Sequence, residues 1–294
     1  MNGLLIIDKP EGMTSADVVR VVKQRLRCKT GHLGTLDPFA SGVLPLCVGE
    51  GTKIAQFLSS ADKAYTGIIR LGTRTDTGDP TGEVIGTAAV PVLTAALLAS
   101  VAERFRGAQQ QVPPMYSALK RQGTPLYKLA RRGIAVERSP RPVHIEALTL
   151  TLHSSDAIAV ALSCSKGTYV RVLAEDIAAA LGTVGHLATL RRTRFGRFRL
   201  EDAVPLARLD DEAPRLIGLR EALGDVREIC LDGANTRRAQ QGYAPLLTSL
   251  QRGACHETAK LVGPEGELAA VIETDDSGQW RFARVFAPEP RAAV

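Results

Sequence analysis

The segment Gly31-His32-Leu33-Gly34-Thr35-Leu36-Asp37-Pro38 holds one carboxylate in a loop bounded by glycine and proline, with a histidine five residues upstream. Asp37 is the leading candidate for chemistry. The two glycines let backbone approach a ligand closely, and Pro38 biases Asp37 toward extended backbone and stops a helix from running through it. On turn chemistry alone, an Asp-Pro turn joining ordinary elements is the alternative. A second group, Ser165-Lys166-Gly167-Thr168-Tyr169-Val170-Arg171, puts Tyr169 and Arg171 where a strand hands over to a helix. Such edges are common ligand sites, although Lys-Gly-Thr also suits a plain turn.

Two stretches could bind a polyanion. Residues 115–141 contain seven basic side chains (Lys120, Arg121, Lys128, Arg131, Arg132, Arg138, Arg141) against the single acid Glu137, interleaved with Tyr116 and Tyr127. Connections are ordinarily about 4–6 residues long, so an insertion of this length is functional or disordered. As a clamp it would release counterions from phosphates and stack tyrosines on bases; as a solvated arm it would do neither. Residues 186–200 carry five arginines and no acid, which fits an RNA-facing strand or an exposed charged one.

These groups need elements to hold them. Leu4 to Ile7 is a short apolar run ending in Asp8-Lys9-Pro10-Glu11-Gly12, a strand followed by a turn. Thr14 or Ser15 can cap a helix whose apolar positions Val18, Val22 and Leu26 recur every four residues and which delivers the chain to the Asp37 loop. Strands are expected at 43–48 and 63–71, a short helix at 52–58, and a hairpin in which 63–71 returns through a long polar tip to Val84 and Ile85. A helix over 94–105, a strand pair near 143–163 and a helix over 172–181 closed by Gly182 follow. Beyond about residue 225, short apolar runs separated by Gly-Pro-Glu-Gly and Asp-Asp-Ser-Gly suggest a small all-β domain, with a loose tail at 288–294.

Composition sets the class. The 294 residues are 45% hydrophobic with mean hydropathy near zero, enough for one large core and a small second domain. No basic region precedes a long apolar run at the N-terminus, and no window approaches the roughly 18 apolar residues of a membrane span, so a cytoplasmic location off the membrane is expected. Cys28, Cys47, Cys164, Cys230 and Cys255 are scattered and never spaced as CxxC, which points to reduced packing residues rather than disulfides or zinc. The net charge of +6 divides into +7 over residues 1–225 and −1 over 226–294, so the first part should hold an anionic partner, nucleic acid being the commonest.

In order along the chain, IIDKPEGMTS, GHLGTLDPFASGVLPLCVGEGTK, DKAYTGIIRLGTRTDTGD, QVPPMYSALK, CSKGTYVR and LRRTRFG resemble the bacterial tRNA pseudouridine-55 synthases, the TruB family, from Asn2 to about Phe198. The resemblance implies a mixed α/β catalytic domain over 1–225, with a largely antiparallel sheet, flanking helices and the basic RNA-binding insertion at 115–141. It further implies a PUA-like RNA-binding β domain over 226–294, matched only in length and strand pattern. The implied activity is isomerisation of a uridine to pseudouridine at position 55 in the tRNA T-loop, with the base flipped out and neither cofactor nor metal required. Asp37 would be the nucleophile, paired by Arg171, and addition to C6, attack at C1′ and elimination through a glycal stay open. Tyr65 would stack on the target base and serve in removing a proton, Tyr169 and Leu190 would line the uracil pocket, and His32 would contact the RNA as a substrate-binding residue. Lys120, Arg191, Arg192 and Arg194 would meet phosphates, and Asp76 would be a turn residue. The T-arm stem-loop of tRNA is the implied partner, met by a monomer with no protein partner.

Rival readings are a guide-dependent pseudouridine synthase working within a ribonucleoprotein, a tRNA-folding chaperone with secondary catalysis, and a glycosidase-like enzyme. The last wants a second carboxylate, for which the sequence blocks offer no clear case.

Overall fold

A computed structural model describes residues 1–209 and 215–288; the tail expected at 288–294 lies almost wholly outside them. The apolar run Gly3–Lys9 forms a buried strand antiparallel to Ser41–Val48, with Leu5 opposite Leu46. Between them, the helix Ser15–Leu26 opens on a capping box in which the Thr14 hydroxyl accepts from the Asp17 amide and the Asp17 carboxylate accepts in return, satisfying donors that a helix start leaves free.

These strands belong to a ten-stranded mixed sheet whose main path runs Val204–Pro205, Gly3–Lys9, Ser41–Val48, Gly185–Phe195, Lys63–Leu71, Ala157–Cys164, Arg141–Ser154 and Gly107–Gln111. Pairing is antiparallel except at Gly3–Lys9 with Val204–Pro205 and at Gly185–Phe195 with Ser41–Val48, where only Arg191 with Ser41 and Arg192 with Gly42 are in register. The helices Ser15–Leu26, Ala95–Arg104 and Val170–Ala180 cover one face, burying Val18, Val22, Leu98, Val101, Leu173 and Ile177 against strand residues such as Leu44, Ile69 and Leu187. Each such side chain contributes about 1.5–3 kcal/mol when fully buried.

Two expectations are corrected. The strand Lys63–Leu71 does not return to Val84. Gly72, with φ +84°, turns the chain out of the sheet, and Val84–Thr87 pairs with Thr73–Thr75 instead. Lys63–Leu71 lies between Gly185–Phe195 and Ala157–Cys164, whose longer apolar faces outcompete a local hairpin. The C-terminal part is not all β. Its four-stranded sheet, Arg227–Cys230, Thr258–Val262, Leu268–Thr274 and Trp280–Val285, carries the helices Gly233–Gln240 and Pro245–Thr248 between its first two strands, which are parallel and so need a crossover. Val262, Leu268 and Val271 of this sheet, with Phe286 just past its last strand, share a core with Leu4, Ile6, Val43 and Cys47 of the main sheet. No helix among the described residues is long and apolar enough to cross a membrane.

Candidate active site

The Asp37 loop is pinned from several sides. The Ser15 hydroxyl donates to Leu36 O at 3.0 Å and accepts from Leu36 N at 2.9 Å. Lys9, wholly buried, donates to Pro10 O, Met13 O and Pro38 O, and the Gly12 amide donates to Pro38 O at 2.8 Å. Burial pushes the Lys9 ammonium down to about 8, with Asp37 opposing the shift. Gly34 takes φ +63°, and a Cβ there would stand 2.8 Å from Phe195 Cε2. A side chain at this position would meet both backbone strain and a ring.

Arg171, in the first turn of Val170–Ala180 and only 5% exposed, clamps the carboxylate. Its Nε lies 2.9 Å from Asp37 Oδ2, Nη1 donates to Thr77 O and Nη2 to Tyr116 O, both at 2.7 Å, and Asp79 Oδ2 is 3.6 Å from Nη1. Asp79 accepts from the Thr77 hydroxyl and from the Thr81 amide and hydroxyl. Burial raises the Asp37 carboxyl above its ordinary value; Arg171 opposes this and the Asp79 charge adds to it. Arg171 therefore acts as aim and counter-charge together.

Asp37 opens onto a cavity of about 360 Å³ lined also by Tyr65, Lys63, Ser117, Lys166, Tyr169, Leu190 and Arg192. That size is within the usual range of roughly 300–1,000 Å³ for small-molecule pockets. Tyr65 is buried on Lys63–Leu71, and burial holds its phenol above the ordinary value while the neighbouring Arg192 opposes the shift. Tyr169 is fixed by its backbone: its amide donates to the Gln111 side chain, whose amide returns a hydrogen bond to Tyr169 O.

Of the residues expected from sequence, Asp37, Tyr65, Tyr169, Arg171, Leu190 and Arg192 meet at this cavity. Others do not. His32, on the strand Thr30–His32, is half-buried outside the lining; burial and the Arg192 charge keep its imidazole below its usual range, and Nδ1 has no partner. Lys120 is exposed on the small hairpin of the arm, whose base, Ser117 to Leu119, reaches the cavity wall. Arg191 ion-pairs with Asp8 at 2.7 Å and lines a different concavity with Thr66, Thr149 and Thr189, because alternation along the strand sends it to the opposite face from Arg192. The expectation for Arg192 needs a larger correction. It is 1% exposed and donates to Val43 O and Gly34 O, so it is not free to meet a phosphate on the surface. In the stretch 186–200 the fully exposed alternative is corrected: Gly185–Phe195 runs inside the sheet with Arg192 and Phe195 buried, while Arg191 and Arg194 stay partly exposed.

Sequence reasoning missed Asp79, Lys9 and Lys63. Asp79 and Asp76 stand in the same polar turn, and nothing local tells them apart; Asp76 accepts from the Glu83 amide, as a turn residue does. Lys63 is buried beside the Phe195 ring and lowered to about 8 by that burial.

A family profile described as TruB family pseudouridylate synthase, N-terminal domain, matches residues 20–170, and one for the tRNA pseudouridylate synthase B C-terminal domain matches 171–224. The chain belongs to the TruB pseudouridylate synthase family. It is 45% identical to tRNA pseudouridine synthase B of Psychrobacter cryohalolentis over 82% of this chain and 70% of that one. Identity is 43% to the Dechloromonas aromatica protein of the same name, over 95% and 93% of the two chains, and 45% to that of Burkholderia mallei, over 98% and 96%. The fold is shared with a chain in a structure of an H/ACA ribonucleoprotein bound to substrate RNA, with a TM-score of 0.70, 20% identity, and coverage of 97% of this chain and 85% of that one. As a TruB-family member this protein is a pseudouridine synthase acting on tRNA. The C-terminal sheet lies beyond the residues that the second profile matches.

Proposed function

We propose that the protein converts the uridine at position 55 of the tRNA T-loop to pseudouridine, with Asp37 as nucleophile and no cofactor. The observation that carries this reading is that Asp37, the one carboxylate among the described residues lining a nucleoside-sized cavity that Tyr65 also lines, is held by buried Arg171. A uridine within the T-loop keeps C6 and C1′ out of reach, so it is flipped into the cavity at a cost of a few kcal/mol of stacking. Stacking on Tyr65 and pocket contacts from Tyr169 and Leu190 offset that cost. In the reaction the bond from C1′ to N1 breaks, the base turns, a bond from C1′ to C5 forms, and the proton leaving C5 is balanced by one gained at N1. Atoms and electrons are conserved, and Asp37 is regenerated whether it adds to the base, attacks C1′ or assists elimination.

In this reading residues 1–225 form the catalytic domain, the arm at 115–141, including Lys120, grips the RNA backbone, and 226–294 form a PUA-like RNA-binding domain. The +7 charge of the first part supports it. The enzyme works in the cytoplasm as a monomer, without a guide RNA or protein partner. The test is tritium release from a T-arm transcript labelled at uridine C5, using purified protein with no metal or cofactor added. Release by the wild type and none by Asp37→Asn is expected. No release by the wild type, with tight RNA binding retained, would turn the reading to guide-dependent catalysis or to a folding chaperone.

A further inference from the structure

Arg192 is an anomaly of charge. It is among the largest fully buried side chains, on a strand inside the main sheet, and a cation removed from water is costly unless an anion or several acceptors compensate. Among the described residues it has no carboxylate partner. Its Nε donates to Val43 O at 2.7 Å and Nη2 to Gly34 O at 2.9 Å, while Tyr65, its partner directly across the two strands, is the titratable group that supports its charge. Its other titratable neighbours, Lys9, His32 and Lys63, are basic, and each is disfavoured as a cation by Arg192. The guanidinium also lies 5.3 Å from the centre of the Phe195 ring, the same ring that leaves no room for a Cβ on Gly34.

One residue thus joins three parts that must stay in register: its side chain donates to the Gly34 carbonyl of the Asp37 loop and to Val43 O on the strand Ser41–Val48, and it pairs directly across the strands with Tyr65, beside which it lines the cavity. We propose that Arg192 is the positioning residue that couples the Asp37 loop to Tyr65, holding nucleophile and aromatic platform in one geometry. It acts through both partners rather than on the substrate backbone. A carboxylate would compete with the two carbonyls for the fork; with none paired to it among the described residues, its donors stay on the Asp37 loop and the strand beside it. The proposal rests on the pseudouridine synthase reading, since Tyr65 and Asp37 have these roles only there.

The coupling also makes the Tyr65 hydroxyl responsive to Arg192. Cys164 and Asp37 face the same phenol and push it up, and Arg192 is the group that opposes them.

The test compares Arg192→Gln, Arg192→Lys, Tyr65→Phe and the Gln/Phe double variant for kcat and KM on a T-arm substrate and for RNA affinity at two salt concentrations. The Tyr65 phenol is titrated by NMR of ring-labelled tyrosine, its signal assigned by its loss in Tyr65→Phe. Arg192→Gln should lower kcat by about 10²-fold, the scale of a displaced catalytic group. RNA affinity and its salt slope should be unchanged, and the Tyr65 phenol should titrate at higher pH. Arg192→Lys should restore part of kcat and most of the Tyr65 titration, and in the Tyr65→Phe background the Gln substitution should cost much less. Two results would overturn the proposal. One is a salt slope flattened by about one with kcat retained, which means a phosphate contact. The other is equal loss in both backgrounds with the Tyr65 titration unmoved, which means a structural brace. If Arg192→Gln does not fold, Arg192→Lys decides by the same two readouts. If the wild type releases no tritium, the functional reading has failed, and the tyrosine titration still tests the contact.

Discussion

Replacing Arg171 by methionine keeps most of the aliphatic stem and removes every donor. In the native site its fork is shared by Asp37 at 2.9 Å, Asp79 at 3.6 Å and the carbonyls of Thr77 and Tyr116 at 2.7 Å, and the group is 5% exposed. Removing Arg171 strands the buried Asp79 charge, a loss of about 3–5 kcal/mol at close contact and toward the lower end at 3.6 Å, while Asp37, 36% exposed, keeps hydration and adds little. The two carbonyls add up to about 1–3 kcal/mol each if water does not reach them. Water can reach the half-buried Tyr116, so we expect a total near about 4 kcal/mol, read as a lower urea midpoint at pH 7 with the slope unchanged. Asp37 is already raised by burial against the pull of Arg171. Without that pull its carboxyl rises further, so the acid limb of kcat should move to higher pH. The stability change has a sign as well. An acid whose native pKa is raised above the ordinary 3.8 stabilises the fold when protonated, so the Arg171→Met variant should lose stability as pH rises from 3.8 to the elevated native value. Adding Asp79→Asn removes one stranded charge and should recover stability without recovering activity. A loss under about 1 kcal/mol with an unmoved acid limb would refute the clamp, and so would a double variant no more stable than Arg171→Met, because neighbours sharing one charge must couple.

Other expectations test the same site from different sides. Gly34→Ala forces an L residue into φ +63° and a Cβ toward Phe195, so it should cost at least about 1–2 kcal/mol in thermal stability and lower kcat more than RNA affinity; wild-type kcat would show that the loop tolerates the shift. Lys9 and Lys63 have native values near 8 against an ordinary 10.5, so stability should rise with pH between about 8 and 10.5, and Lys63→Met should reduce that rise by its share in denaturation series across the window. Neutralising Lys120, Arg121, Arg131 and Arg132 together should flatten the salt slope of RNA binding by up to about 0.7–0.9 for each phosphate the arm no longer neutralises; an unchanged slope would leave the arm a solvated loop. Deleting 226–294, near neutral in charge, should leave that slope almost unaltered. An isolated T-arm stem-loop should react; reaction of complete tRNA alone would show that recognition extends beyond the loop.

Much was legible where the physics is local. The cap at Thr14, the helix Ala95–Arg104, the strand Lys63–Leu71 and the turn of Gly182, at φ +82°, past Val170–Ala180 are each written within a few residues, because helix donors, period-two burial and left-handed glycine are short-range matters. Asp37, Tyr169 and Arg171 stood out by residue type and spacing and Tyr65 through the motif resemblance, and the fold brings all four to one cavity. Tertiary structure alone decided what surrounds them. Asp79 becomes part of the site because a turn far upstream of Arg171 in sequence folds beside it, and Lys9 because three carbonyls close over its ammonium. In the arginine-rich strand, period-two alternation predicts that Arg191 and Arg192 part company but not which of them enters the protein. Pairing of Gly185–Phe195 on both edges makes that choice, and Val43, 149 residues away, and Gly34, 158 away, supply the acceptors that let a cation stay there. The sequence sets each residue's chemistry and local backbone; burial, partner and charge state depend on contacts between distant segments, which no local pattern encodes.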